Sequence, residues 1–98
     1  MQNKFLSLLG MARKANRVSL GYDKALEAVH SGKSYAVFLA SDLSKKTKRG
    51  LVFAAENTDI AIISTEFSIF EITNAVGTKT GVVSVNDAGF AKKLKTLI

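Results

Sequence analysis

The stretch Arg17 to Gly32, Arg-Val-Ser-Leu-Gly-Tyr-Asp-Lys-Ala-Leu-Glu-Ala-Val-His-Ser-Gly, reads as a short strand turning through Gly21 into an amphipathic helix. Val18 to Leu20 suits an extended segment. Ala25, Leu26, Ala28 and Val29 recur at helical spacing, and Ser31-Gly32 supplies a C-terminal stop. A helix start leaves backbone N–H groups unpaired and carries the positive end of the macrodipole, so it suits an anion. Arg13, Lys14 and Arg17 come just before it, and the expectation is that they stand beside that helix end.

The same alternation of strand and helix continues outward. Phe5, Leu8, Leu9 and Ala12 predict a first helix from about Asn3 to Ala15. Tyr35 to Ala40 is a nearly unbroken apolar run, as expected of a central strand covered on both faces. Ser41-Asp42-Leu43-Ser44 follows as turn and cap, then a helix to about Asn57 carrying Leu51, Val52, Ala54 and Ala55. Gly50 is the weak point of that helix, since mid-helix glycine is worse than alanine by ~1 kcal/mol. Ile60 to Ile63 predicts a second buried strand, and Thr65, Glu66 and Ser68 open a short helix through Val76. Gly81 to Val85 predicts a third core strand. Asn86-Asp87 caps a final helix bearing Phe90, Ala91, Leu94 and Leu97. Strands separated by helices of roughly ten residues argue an α/β/α sandwich. With 98 residues there is enough chain for one core and too little for two, so residues 1–98 are expected to form a single domain.

Composition narrows the function. Apolar residues make up 47% and charged residues 22%, a folding composition and not a disordered one. Lys and Arg number 14 against 8 Asp and Glu, and the resulting +6 attracts polyanions such as RNA, DNA or an anionic membrane surface. The lack of cysteine excludes disulfides and thiolate metal sites, and a single histidine makes a zinc site improbable. No metal and no cofactor are expected. Arg13 and Lys14 follow the short apolar run near the N-terminus, the wrong order for a secretory signal, and no apolar stretch reaches membrane-spanning length. The expected setting is the cytoplasm, with no membrane partner.

No catalytic constellation emerges. His30 falls in the last turn of the second helix, where a protonated imidazole would favour the dipole's negative end, and no nucleophile or orienting carboxylate can be assigned to it. Asp42 and Asp87 each follow a strand and precede a helix, but the acid cluster of a phosphoreceiver site is missing, and capping explains both better. Val76-Gly77-Thr78-Lys79-Thr80-Gly81 precedes a strand where a Walker motif would follow one, so it is a loop and not a nucleotide cradle. A non-enzymatic role follows.

Three cation groups remain: Arg13, Lys14 and Arg17; Lys45, Lys46, Lys48 and Arg49; and Lys92, Lys93 and Lys95. The third is most simply a solvated helix face. The second sits in the opening turns of a helix, where cations oppose the macrodipole unless an anion is present. The first is ambiguous, because cations also suit the end of the first helix.

Leu8 to Ala15, Gly21 with Gly32, Leu39-Ala40-Ser41-Asp42, Ala75-Val76-Gly77, and Val85 to Leu94 together resemble the kink-turn-binding ribosomal protein family. This is the superfamily of the large-subunit proteins numbered seven-Ae and thirty-e, and the resemblance, nearly chain-long, is strongest to its bacterial YlxQ-type branch. It implies a three-layer α/β/α sandwich with a mixed, mainly four-stranded sheet. It also implies binding to RNA kink-turns, in which a bulge beside tandem sheared G·A pairs bends the helix sharply. In the family the second helix docks by its N-terminus, and a loop before the last strand covers the bulge.

Carried over by position, Gly21 matches the glycine that lets the helix end approach the RNA closely. Asp23 matches a position that is often asparagine, Lys24 one that is often glutamate, and Glu27 one that is usually lysine. Val76, Gly77, Thr78, Lys79 and Thr80 match the bulge-covering loop, with Thr78 and Thr80 at places commonly apolar in strong binders. A carboxylate at Glu27 accepts or repels where a lysine would donate, and Lys24, one turn earlier, is placed to restore the cation. A plain Lys24–Glu27 surface pair is the alternative.

The resemblance implies RNA contact by Gly21, Asp23, Lys24 and Glu27 and by Val76 to Thr80 at the bulge, and the basic groups add Arg13, Lys14, Arg17, Lys45 and Lys46 as expected phosphate contacts. The expected protein is a monomer acting on ribosomal or regulatory RNA. The alternative is an interaction module of the same fold that docks on ribosomal proteins or RNA-processing partners without reading RNA.

Overall fold

In the computed structural model residues 3–98 are described. Residues 1 and 2, which open the expected 1–98 domain, lie outside the described residues. Five helices and four strands alternate: α1 (Lys4–Lys14), β1 (Val18–Leu20), α2 (Tyr22–His30), β2 (Ala36–Leu39), α3 (Lys45–Ala54), β3 (Ala61–Ser64), α4 (Ile69–Val76), β4 (Val82–Val85) and α5 (Ala88–Thr96). Short polar side chains start most of the helices. Asn3 caps α1, Ser44 caps α3 and Asp87 caps α5, while Ser68 and Glu71 form a reciprocal capping box at α4.

The strands form one mixed sheet in the order β1-β4-β2-β3. β4 pairs antiparallel with both β1 and β2, and β2 pairs parallel with β3. Because side chains alternate along a strand, β2 feeds both faces. Ala36, Phe38 and Ala40 join Phe5, Leu9, Ile72, Val76, Ala91 and Leu94 beneath α1, α4 and α5. Val37 and Leu39 join Ala25, Val29 and Leu51 beneath α2 and α3. The result is the α/β/α sandwich, with two helices on one face and three on the other.

Three aromatic rings anchor the larger layer. Phe5 stacks on Phe67 at a centroid distance of 5.2 Å and meets Phe38 edge-on at 5.3 Å. Close helix packing in the same layer requires Gly10, because a Cβ there would stand 2.9 Å from the carbonyl oxygen of Ala75 in α4. Backbone has little room to yield, so Gly10→Ala is expected to lower stability by about 1 kcal/mol, overpacking outweighing the gain in helix propensity. Chemical denaturation measures this directly.

Several details depart from expectation. The second buried strand is β3, an edge strand only half-buried, because it has a single neighbour in the sheet. Tyr35 precedes β2 and is half-exposed. The third helix stops at Ala54, short of Asn57, whose φ of 63° leaves the helical region, and its Val52 faces solvent. Gly50 lies within α3, as expected of that helix, and its reason is steric: a Cβ at that position would collide with Tyr22 Oη, so the glycine makes room for the first side chain of α2. Asp42 caps a different helix from the one it precedes, its carboxylate accepting from the Ile69 N–H of α4 at 2.8 Å. Thr65 does not open α4; its hydroxyl donates to the Leu39 carbonyl and accepts from the Phe67 N–H.

Candidate nucleic-acid interface

Three connections meet at one end of the sheet. The Gly21 N–H donates to the Val82 carbonyl, and the Ala40 N–H to the Gly81 carbonyl, both at 2.9 Å. The start of α2, the loop between α4 and β4, and the segment leading into α3 are thereby drawn together.

The start of α2 differs in kind from the other four. Gly21 is its N-cap, with φ 95° and ψ 165°, and no side chain closes it. Ala25 bonds back to the Gly21 carbonyl, but the N–H groups of Tyr22, Asp23 and Lys24 have no acceptor among the described residues. Nothing lies within 4 Å of where a Gly21 Cβ would project, so the approach is open. Asp23 and Lys24 are exposed beside it, and Asp23 puts a carboxylate in the first turn, where the macrodipole favours one. Tyr22 lies across Gly50 and ties this end to α3.

The loop divides into exposed and buried parts. Gly77, Thr78 and Lys79 face solvent, with Gly77 in the left-handed conformation that ends α4. Val76 and Thr80 point inward. Val76 packs in the core, and the Thr80 hydroxyl donates to the Val82 carbonyl at 2.9 Å. The Thr80 N–H donates to Thr73 Oγ1 at 3.1 Å, which anchors the loop to α4. Their side chains therefore brace the loop from below, and the expectation of a five-residue covering surface narrows to residues 77–79. Thr80 is polar because it completes backbone hydrogen bonds at the start of β4.

Lys45 and Lys46 begin α3 on the end of the sheet shared with Gly21 and are exposed. That helix is already capped by Ser44, so its cations oppose the dipole with no acidic residue in the first turn to offset them.

Arg13, Lys14 and Arg17 do not stand beside the α2 start, contrary to expectation. The Arg17 carbonyl accepts from the Asn86 N–H, at the far end of the β1–β4 ladder. Strand β1 separates Arg17 from Gly21 by about 13 Å, four residues at ~3.3 Å each. Arg13 and Lys14 end α1, where cations complement the helix dipole. Glu27 lies on the outer flank of α2, with Lys24, beside Ser19 and Lys33. No hydrogen bond or ion pair joins Lys24 to Glu27, so the simple surface pair is not formed.

A model of the ribosomal protein L7Ae/L30e/S12e/Gadd45 family matches residues 3–95. The chain belongs to that family. The L7Ae/L30e-family chain is 31% identical over 97 residues to a protein of Enterococcus faecium called RNA-binding protein YlxQ, covering 99% of this chain and 93% of the relative. A solved Bacillus halodurans protein of unknown function superposes with a TM-score of 0.91 at 32% identity, covering 98% of this chain and 97% of that one. The Giardia lamblia 15.5kD RNA binding protein shares the fold, with a TM-score of 0.75 at 21% identity over 95% of this chain and 86% of its own.

Sequence reasoning passed over Tyr22, whose contact with Gly50 fixes the α2–α3 junction in this L7Ae/L30e-family protein. The signal was available: a glycine inside a helical pattern marks a close approach. It also passed over Lys33, Tyr35 and Asn86, which come together only at the opposite end of the sheet. Among the described residues no helix is long and apolar enough to cross a membrane, and no group of His, Asp and Glu side chains is placed to hold a metal ion.

Proposed function

We propose that this L7Ae/L30e-family chain binds kink-turn RNA and stabilises its bent form without catalysing a reaction. The partner would be ribosomal or regulatory RNA in the cytoplasm. The reading is supported by family membership and by the relative named as an RNA-binding protein. The observation that carries it is the open start of α2, whose first three N–H groups have no acceptor among the described residues, on the end of the sheet that it shares with the exposed 77–79 loop and Lys45. Single-strand readout alone does not need that juxtaposition; a sharply folded backbone, which presents phosphate and an extruded base together, does.

Gly21, Asp23 and Lys24 then dock at the G·A pairs, Gly77 to Lys79 cover the bulge, and Lys45 and Lys46 meet phosphate. Glu27 accepts from an exocyclic amino group, the hydrogen bond open to a carboxylate. The protein acts by preferring the kinked conformer. Shifting a 1:99 population to 99:1 takes ~5.5 kcal/mol of differential affinity.

A gel shift against a kink-turn RNA, with a control whose G·A pairs are Watson–Crick, tests this reading. Strong preference for the kinked RNA is expected, and equal affinity for both would overturn it. Neutralising Lys45 and Lys46 together should flatten the salt dependence, reducing the slope of log K against log salt by roughly 1.4–1.8. Lys24→Gln should lower the preference for the kinked form by about 1–3 kcal/mol, the range for one base-reading contact. Lys14→Glu, at the far end of the sheet, should leave a short kink-turn almost unaffected.

A further inference from the structure

The end of the sheet opposite Gly21 holds a second opening. It is a cleft of about 460 Å3 lined by Asn16, Arg17, Ser19, Lys33, Tyr35 and Asn86, within the size range of small-ligand sites. Backbone hydrogen bonds pin its walls. The Asn86 N–H donates to the Arg17 carbonyl at 2.8 Å, the Tyr35 N–H to Val85 at 2.9 Å, and the Lys33 N–H to Ala28 at 3.0 Å.

Behind Asn86 and Ser19, which line the cleft, lies a row of buried polar groups. Ser84 is fully buried on the α2 side of β4, and Ser34 nearly so. Ser84 Oγ is hydrogen-bonded to Ser34 Oγ at 2.8 Å and donates to Asn86 Oδ1 at 2.7 Å. Asn86 Nδ2 in turn donates to Ser19 Oγ at 2.8 Å. An apolar residue at position 84 would pack this layer without burying a hydroxyl. What the hydrogen-bonded row does is hold one amide fixed, Oδ1 inward and Nδ2 toward the cleft, with one Nδ2 proton lacking an acceptor among the described residues.

Around that donor stand a half-exposed tyrosine ring and two exposed cations, Arg17 and Lys33, neither in an ion pair among the described residues. An aromatic face, an oriented amide donor and flanking positive charge match the base, the base carbonyl and the phosphates of a nucleotide. We infer that this cleft binds one nucleotide of a single-stranded RNA segment. The base stacks on Tyr35, a base carbonyl accepts from Asn86 Nδ2, and Arg17 and Lys33 hold the phosphates.

Continuity with the other end favours a strand over a free nucleotide. Ser19 and Lys33 also line a shallow hollow that runs with Lys24 along the outer flank of α2. At ~1.5 Å per residue, the nine residues of α2 span about 13 Å, or roughly four stacked nucleotides at ~3.4 Å each. An RNA seated at Gly21 would thus reach the cleft through a short single-stranded extension. The inference rests on RNA as the partner, but it does not require a kink-turn.

The test is a 15N–1H titration of the full chain with hexauridylate, with UMP in a parallel arm. Hexauridylate should shift the Asn86 side-chain amide and the N–H signals of Ser19, Lys33 and Tyr35. Its affinity should exceed that of UMP by about tenfold, as added phosphates engage the flank. Tyr35→Ala should weaken the oligonucleotide roughly tenfold while Tyr35→Phe retains it, the signature of a stacking face. Replacing Arg17 and Lys33 by glutamine should reduce the salt slope by about 1.4. Unmoved cleft signals, or an affinity indifferent to Tyr35→Ala, would overturn the inference. Equal affinity for UMP would overturn the strand as ligand. A protein that binds a kink-turn RNA with these signals still would lose the cleft and keep the proposed function; one that binds hexauridylate here but no kink-turn would show the reverse.

Discussion

Gly21→Ala is expected to damage both stability and RNA binding, and the two losses have separable causes. The glycine holds φ 95° and ψ 165°, a region essentially closed to residues with a Cβ, so the substitution should lower stability by about 1–3 kcal/mol. None of that arises from crowding inside the protein, since nothing lies within 4 Å of the added methyl group. The methyl instead stands in the open approach to the Tyr22, Asp23 and Lys24 N–H groups. Crowding there should weaken a kink-turn RNA by about tenfold or more, corresponding to ~1–3 kcal/mol of steric conflict. Thermal melts report the first effect, and titration of the folded variant reports the second. A stability loss with unchanged affinity would mean that RNA does not approach this end of α2.

Phe5→Ala carries the largest expected stability change. Phe5 is 1% exposed and touches the rings of both Phe38 and Phe67, so truncation leaves a cavity at the centre of the larger layer. Losses of about 3–5 kcal/mol accompany such changes. In a domain of this size, whose total stability is ~5–15 kcal/mol, that removes a large share. At ~4–8 °C per kcal/mol, the melting temperature should fall by more than about 12 °C. Phe53→Ala is the counterpart: its ring is 75% exposed on α3, and the change should stay within about 0.5 kcal/mol. Urea unfolding of both variants checks the contrast, and similar losses would contradict the layer assignment.

These two phenylalanines show what was legible in the chain. Phe5 belongs to a helical apolar repeat with Leu8, Leu9 and Ala12, so its burial could be read from spacing. The start of α2 was legible too, because a glycine between a short strand and an amphipathic helix carries its conformation in its identity. The placement of Arg13, Lys14 and Arg17 beside that start was misread. Residues that flank a strand lie at its two ends, and a three-residue strand already holds Arg17 and Gly21 well apart. The loop was half legible: its glycine and lysine mark the exposed tip, while the inward turn of Val76 and Thr80 depends on α4 and β4 being packed together.

By itself the sequence determined the order of elements, the caps at Ser44, Ser68 and Asp87, and the apolar faces of the first, second and last helices, because those depend on contacts a few residues apart. Tertiary structure decided that β3 is an edge, that Gly50 accommodates Tyr22, and that the two ends of the sheet carry different chemistry. Those outcomes rest on pairings such as Val18 with Val85 and Ser19 with Asn86, which join residues far apart along the chain. Local periodicity fixes which side of an element is buried, but it holds no record of which distant element will cover it.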